Sequence, residues 1–505
     1  MKKLRLMAAV TAVVLAISSV SVFAAPTTSS QNSSSSAVSS SDKAVTPTPA
    51  TVQSVPEPTV FAQAAELVEA ESGKVLYSKD PTRKMYPAST TKIMTALVFL
   101  EHFNKDDVIK VGTEVNEVSL DSSKAGHKVG ESILAENLVR GLIIPSGNDS
   151  AVVAACAVAR KIKNDNSIGL TESEQIFADL MNKKAEELGC KNTHFVNPHG
   201  YHDDNHYTCA EDMAKIAAEG IKNDLIKQVA AEKSYSGNGM GSANKDGLIT
   251  QDYNWTSHNL LITNSEYNYQ YATGLKTGFT DEAGDSVVAT AEKDGVKLIA
   301  VIYNSEDPNR WLDAKNLFEY GFNNFGYFTL TKAGDPVATA NLVYNKSAGG
   351  NTLDLVTKED VNLFLSKTEV GSVTSSVEVT NDELLYTKDK DASADTITLK
   401  APIDEGAEIG TVSYKDADGN VIAQTKVYSS RAVEKANLFM RIIYGIKNAI
   451  VGFVSHISIL KIVAVIVIIV VIIIIIIFFK NRNGGGYGGG YYSKPKYRYK
   501  RRGRF

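Results

Sequence analysis

Eighteen consecutive apolar residues at 462–479, almost all Ile and Val, leave little freedom in where this chain can reside. A run that long with no polar face suits one bilayer crossing, and residues 461–480 are predicted to be a transmembrane helix. A basic tail comes next. The last 26 residues hold nine Lys/Arg and no Asp/Glu, so the Gly/Tyr-rich segment 481–505 is expected to stay cytoplasmic. At the other end Lys2, Lys3 and Arg5 precede a short apolar stretch and Val22-Phe23-Ala24. That order reads as a signal peptide over residues 1–24. The bulk of the chain is therefore expected outside the cytoplasm, tethered near its C-terminus to the cell membrane by a single pass.

The 505 residues are too many for one core. Residues 25–58 cannot supply one, because twenty of the 33 residues from Pro26 to Pro58 are Ser, Thr or Pro. From residue 59 the pattern changes. A hairpin is expected at 64–77 around Ser72-Gly73, then helices near 90–104, 131–144, 149–162, 172–188 and 209–219. Strands are expected at 286–291 and 297–303 and a helix at 308–320. Strands flanking a block of helices predict an α+β domain over 59–326. Residues 327–430 alternate apolar and polar in short runs, with a tight turn at Asp418-Gly419, and predict a small all-β sandwich. Residues 431–460 read as an amphipathic juxtamembrane segment. Apart from its two basic ends the chain is acidic, which argues against nucleic acid as a partner of the outward part.

Three short motifs in the first domain carry chemistry. Ser89-Thr90-Thr91-Lys92 opens an apolar helix, where residues three apart share a face, so Lys92 reaches the Ser89 hydroxyl. Serine is a weak nucleophile, and a lysine whose pKa is lowered by burial or a second cation can serve as its base. Ser146-Gly147-Asn148 lies between two predicted helices and offers a hydroxyl and an amide to a cleft. Lys276-Thr277-Gly278 adds a cation, a hydroxyl and a residue that allows close backbone approach. Each motif alone is ordinary; S-x-x-K, S-x-N and K-T-G in that order in an exported chain is a specific combination.

On these residues, together with Phe195-Val196-Asn197-Pro198-His199-Gly200, His206-Tyr207, Asp212-Met213-Ala214 and Tyr320-Gly321-Phe322, the chain resembles the serine-type D-alanyl-D-alanine carboxypeptidases of family S11, the low-molecular-weight penicillin-binding proteins. The resemblance spans about 61–328, and more weakly the β-rich segment. It implies a penicillin-binding/β-lactamase-like transpeptidase domain and an enzyme of peptidoglycan biosynthesis that removes the terminal D-Ala from pentapeptide stems. By position it implies Ser89 as the acylated nucleophile, Lys92 as its base, and Ser146 and Asn148 in the proton network. Lys276 steadies that network. Thr277 and Arg310 hold the terminal carboxylate, and the N–H groups of Ser89 and Phe279 form an oxyanion hole beside Gly278. β-Lactam antibiotics are expected to acylate the same serine, and no metal or organic cofactor is implied. Gly147 departs from the Asp usual in the second motif, and Tyr201 from a common Leu.

Other readings are possible on sequence. A class A β-lactamase would add an E-x-x-L-N stretch, and none lies between Asn148 and Lys276. The cluster His194, His199, His202, His206, Asp203 and Asp204 suggests metal chemistry, but without H-E-x-x-H spacing. A membrane-tethered, wall-binding scaffold with a dead site is the non-enzymatic alternative. Cys156 reads as core packing, while Cys190 and Cys209 pair only if the fold brings them together.

Overall fold

The computed structural model describes residues 43–44, 55–243, 247–346, 350–386, 397–438 and 442. The predicted signal peptide, most of the predicted linker and juxtamembrane segment, the apolar run and the basic tail lie outside these residues. Among the described residues no helix is long and apolar enough to cross a membrane.

The strand β1 (Ala64–Glu69) is buried along its whole length, so both of its faces must be covered. It pairs with β2 (Val75–Lys79) and sits inside an antiparallel sheet completed by β3 (Ala272–Gly278), β4 (Ser286–Lys293) and β5 (Val296–Tyr303), in the order β2-β1-β5-β4-β3. Alternation along the strands divides the core. Ala65, Leu67, Leu298, Ala300 and Ile302 face one way and meet Trp311, Ala314, Leu317 and Phe318. Ala64, Val68, Ile299, Val301 and Tyr303 face the other way, toward a helical cluster.

That cluster surrounds α1 (Lys92–His102), whose first eight residues are all buried. Around it lie α2 (Ala135–Ile143), α3 (Asn148–Lys163), α4 (Leu170–Glu187), α5 (Ala210–Gly220) and α6 (Asp224–Ala230). The predicted helices are all present. One begins late: Ser132–Leu134 is a strand paired with Val108–Lys110, and α2 starts only after it. The opposite face of the sheet is covered by α7 (Asn309–Asn324), which supplies the Trp311–Phe318 stripe.

From α7 the chain passes directly into an all-β domain, with β6 (Phe325–Thr331), β7 (Pro336–Val343), β8 (Thr352–Val356), β9 (Val361–Ser366), β10 (Thr374–Val379), β11 (Thr398–Lys400), β12 (Glu408–Lys415) and β13 (Val421–Ser429). Its sheet runs β10-β12-β13-β8-β7-β11, with Lys43–Ala44 added at the β10 edge, and the β6–β9 ribbon contributes Leu330 and Leu365 to the same apolar core. At the junction Val55 and Asn324 exchange two hydrogen bonds, of 2.9 and 2.8 Å.

Candidate active site

The nucleophile turn is short and tightly held. Ala88–Thr91 form one 3₁₀ turn leading into α1, and Ala88 adopts a left-handed backbone with φ 45°. Thr90 donates to Pro87 O at 2.7 Å and meets the buried Tyr303 hydroxyl at 3.1 Å. His206, on the loop before α5, accepts the Val196 N–H at Nδ1 and so presents Nε2–H to Thr91 Oγ1 at 2.8 Å. That imidazole is fully buried, and burial lowers its pKa to about 3, which keeps it neutral. Gly200 lies against the same turn: a Cβ there would sit 1.8 Å from Ala88 O.

Lys92 is wholly buried in the first turn of α1. Its Nζ lies 2.8 Å from Ser89 Oγ, 2.7 Å from Asn148 Oδ1 and 2.8 Å from His199 O. Two of these partners are carbonyl oxygens, which only accept. A neutral amine gives them its two N–H bonds, and its lone pair is left facing the one partner able to donate, the Ser89 hydroxyl. The electrostatics favour that form. Burial first, then the charge of Lys276, holds Lys92 well below the ordinary lysine range, with Asp149 opposing. Lys276, equally buried, is lowered to about 7 by burial and by the Arg310 cation.

The second motif sits in the loop between α2 and α3. Ser146 is in the left-handed region with φ 59°, and Asn148 is the first residue of α3. The third motif is the end of the edge strand β3. There Gly278 admits more than a ligand: a Cβ would meet Pro87 O at 2.9 Å and Ala88 Cβ at 3.3 Å, so the strand packs directly on the nucleophile turn. Phe279 comes next, with its side chain largely exposed.

Together these residues line an open cleft of about 650 Å³ that contains Ser89, Ser146, Asn148, Thr277, Gly278, Phe279 and Arg310. Arg310 is ion-paired to Asp285 at 2.9 Å and Asp307 at 3.1 Å and lies over the Trp311 ring, yet still reaches the cleft. Sequence reasoning missed the opposite wall, Asp121, Ser122 and Ser123, and also His258 and Glu282. These stand in loops without periodicity, and only proximity to the motifs in space identifies them. The histidines of the cluster make contacts within the fold. His206 braces Thr91, His199 Nε2 lies 3.4 Å from a Glu174 carboxylate oxygen, and His194 Nδ1 meets Asn205 O at 2.7 Å. Cys156, Cys190 and Cys209 are all free; Cys209 Sγ accepts the Asp212 N–H at the start of α5.

The family model of the D-alanyl-D-alanine carboxypeptidases, peptidase family S11, matches residues 51–307, half of the chain. The chain belongs to this family. The model of the penicillin-binding protein 5 C-terminal domain matches residues 325–435. D-alanyl-D-alanine carboxypeptidase DacF of Bacillus subtilis is 32% identical over 381 residues, which is 74% of this chain and 86% of that protein. DacA of Escherichia coli is 28% identical over 402 residues, 77% of this chain and 88% of its own. Among solved structures, penicillin binding protein 5 from Haemophilus influenzae superposes with a TM-score of 0.52 at 28% identity, covering 75% of this chain and all of that one. This S11 family member thus pairs a penicillin-binding-protein-5-like transpeptidase domain with an all-β C-terminal domain.

Proposed function

We propose that the protein is a serine D-Ala-D-Ala carboxypeptidase that releases the terminal D-Ala of peptidoglycan stem peptides and is acylated by β-lactams at Ser89. The carrying observation is the Lys92 amine 2.8 Å from the Ser89 hydroxyl with its other two contacts taken by carbonyl oxygens. Neutral Lys92 takes the hydroxyl proton as Ser89 Oγ attacks the penultimate D-Ala carbonyl. The N–H groups of Ser89 and Phe279 receive the oxyanion. Ser146 and Lys92 pass the proton to the leaving D-Ala amine, and water then hydrolyses the ester. Thr277 and Arg310 hold the terminal carboxylate. Asp285 and Asp307 keep Arg310 in place before substrate arrives, which limits the ordering cost of binding. The same residues serve a penicillin, whose lactam carbonyl and carboxylate present a similar pair of groups.

The proposed setting is extracytoplasmic: export directed by residues 1–24, a single membrane span at 461–480, and a basic cytoplasmic tail at 481–505. The apolar run and the charge distribution around it support this reading.

The test uses full-length protein in detergent with a diacetyl-Lys-D-Ala-D-Ala tripeptide and with penicillin. D-Ala release and a lasting penicillin adduct, both absent in Ser89→Ala, are the expected result. Rapid penicillin turnover would point to a β-lactamase. Neither product nor adduct from folded protein would point to a wall-binding scaffold.

A further inference from the structure

Behind the second motif lies a buried chain of polar groups that takes no part in the proposed acyl transfer. His127 Nε2 is 2.8 Å from Ser150 Oγ, and His127 Nδ1 is 2.9 Å from Glu131 Oε1 and 2.7 Å from Tyr253 Oη. Tyr253 also donates to Glu131, and Gln251 Nε2 donates to Tyr253 Oη at 3.0 Å. A carboxylate facing Nδ1 favours the proton there, so Nε2 is the acceptor for the Ser150 hydroxyl. Hydroxyl, imidazole and carboxylate stand in the order of a hydrolase triad. Ser150 is completely buried, however, and meets no substrate.

Its position suggests another use. Ser150 is two residues beyond Asn148 in the first turn of α3. His127 belongs to the segment that continues from the cleft wall of Asp121, Ser122 and Ser123. The neighbouring Asp149 carboxylate accepts the N–H groups of Ala125, Gly126 and His127 at 2.7, 2.7 and 3.0 Å, and Asn148 N donates to Ser123 O at 2.8 Å. Two glycines make room for the contact. A Cβ on Gly141 would lie 2.4 Å from Ser150 Oγ and 3.3 Å from His127 Nε2, and one on Gly147 would lie 2.8 Å from Ser150 Oγ. Beside Gly147 in this loop Ser146 holds its left-handed backbone, a strained conformation that persists only where the surroundings over-determine it.

We infer that His127 is a positioning residue of the active site: clamped by Glu131 and Tyr253, it holds Ser150 and so fixes Ser146 and Asn148 against Lys92 and the cleft wall. The assignment rests on the acyl-transfer reading of the site. Asn148 Oδ1 takes one of the Lys92 N–H bonds, so loosening the start of α3 frees the amine from the orientation that aims its lone pair at Ser89. The loss then falls on the chemical step more than on substrate binding.

The experiment compares full-length wild type with Ser150→Ala, His127→Phe, the double variant and His127→Gln. It measures penicillin acylation rate, kcat and KM for D-Ala release, and thermal stability. The expected result is a loss of about tenfold to a hundredfold in acylation and kcat for each single variant, with KM nearly unchanged. The double variant should be no worse than the poorer single, and His127→Gln should recover part of the rate. Folded single variants with wild-type rates, losses confined to KM, or losses that add fully in the double would overturn the assignment. Should His127→Phe not fold, Ser150→Ala, which removes one oxygen, decides alone. If wild type is acylated but releases no D-Ala, the carboxypeptidase reading fails while the acylation rates still judge His127.

Discussion

At the residue scale burial lowers the pKa of both site lysines, and neighbouring charge adds to it: Arg310 acts on Lys276 and Lys276 on Lys92. With Lys92 as the proposed base, activity should be lost as pH falls through its depressed pKa. Lys276→Gln removes one of the two causes of that depression. The acid limb of penicillin acylation should therefore move to higher pH, and a limb that stays put or moves down would remove Lys276 from this role. A second residue-scale prediction concerns Glu66, buried in β1 with one carboxylate oxygen unpartnered. Burial, then Glu211 and Asp212 against the opposing Lys215, raises its pKa from 4.5 to about 7. The folded state therefore binds the proton more tightly than the unfolded chain. Stability is fully present below pH 4.5 and is lost as pH rises through about 7, by roughly 3 kcal/mol in all. Urea unfolding of Glu66→Gln should lack that component of the decline; parallel pH dependence in the two proteins would refute it.

At the element scale, what holds the layers together is partly polar. Asp313 on α7, fully buried, accepts the N–H groups of Phe61 and Ala62 at 2.9 Å and the Ser305 hydroxyl at 3.0 Å, tying the entry to β1 onto the helix. Asp313→Ala strands those donors and should cost about 3 kcal/mol in thermal unfolding; a change below about 0.5 kcal/mol would mean that water replaces the carboxylate. Elements with continuous apolar runs were legible in advance, α1 by the length of its run and the β1–β2 hairpin by two short runs about the Ser72-Gly73 turn. Ser234–Asn238 and Asp252–Thr256 were not, since the first reads Ser-Tyr-Ser-Gly-Asn and resembles a turn. Ser132–Leu134 was absorbed into a helix because three residues carry no period of their own. The site shows the same division. Ser89 and Lys92 are related by helix spacing and could be paired on paper, whereas Asn148 reaches Lys92 from the start of α3 and His199 O from a distant loop. His127 with Ser150 left no signal, as a lone histidine and a lone serine predict nothing about each other.

At the scale of the whole molecule, the membrane span proposed at 461–480 lies far along the chain from the three motifs, which end at Gly278. Deleting residues 461–505 should release the protein from membranes resistant to carbonate extraction, with kcat on a soluble tripeptide unchanged. Continued membrane retention would place the anchor elsewhere, and lost activity would join the tail to the catalytic unit. Within the catalytic unit, backbone lies against backbone at the motifs: a Cβ would fall 1.8 Å from Ala88 O at Gly200 and 2.9 Å from Pro87 O at Gly278. In a saturation library these positions should score as intolerant as the nucleophile itself while contributing no side chain to any reaction. Selection for escape from penicillin then has little room along the seam where strand, turn and loop touch. Surviving variants should concentrate among cleft side chains outside that seam, such as Asp121 and Glu282, where a change in shape leaves the scaffold intact.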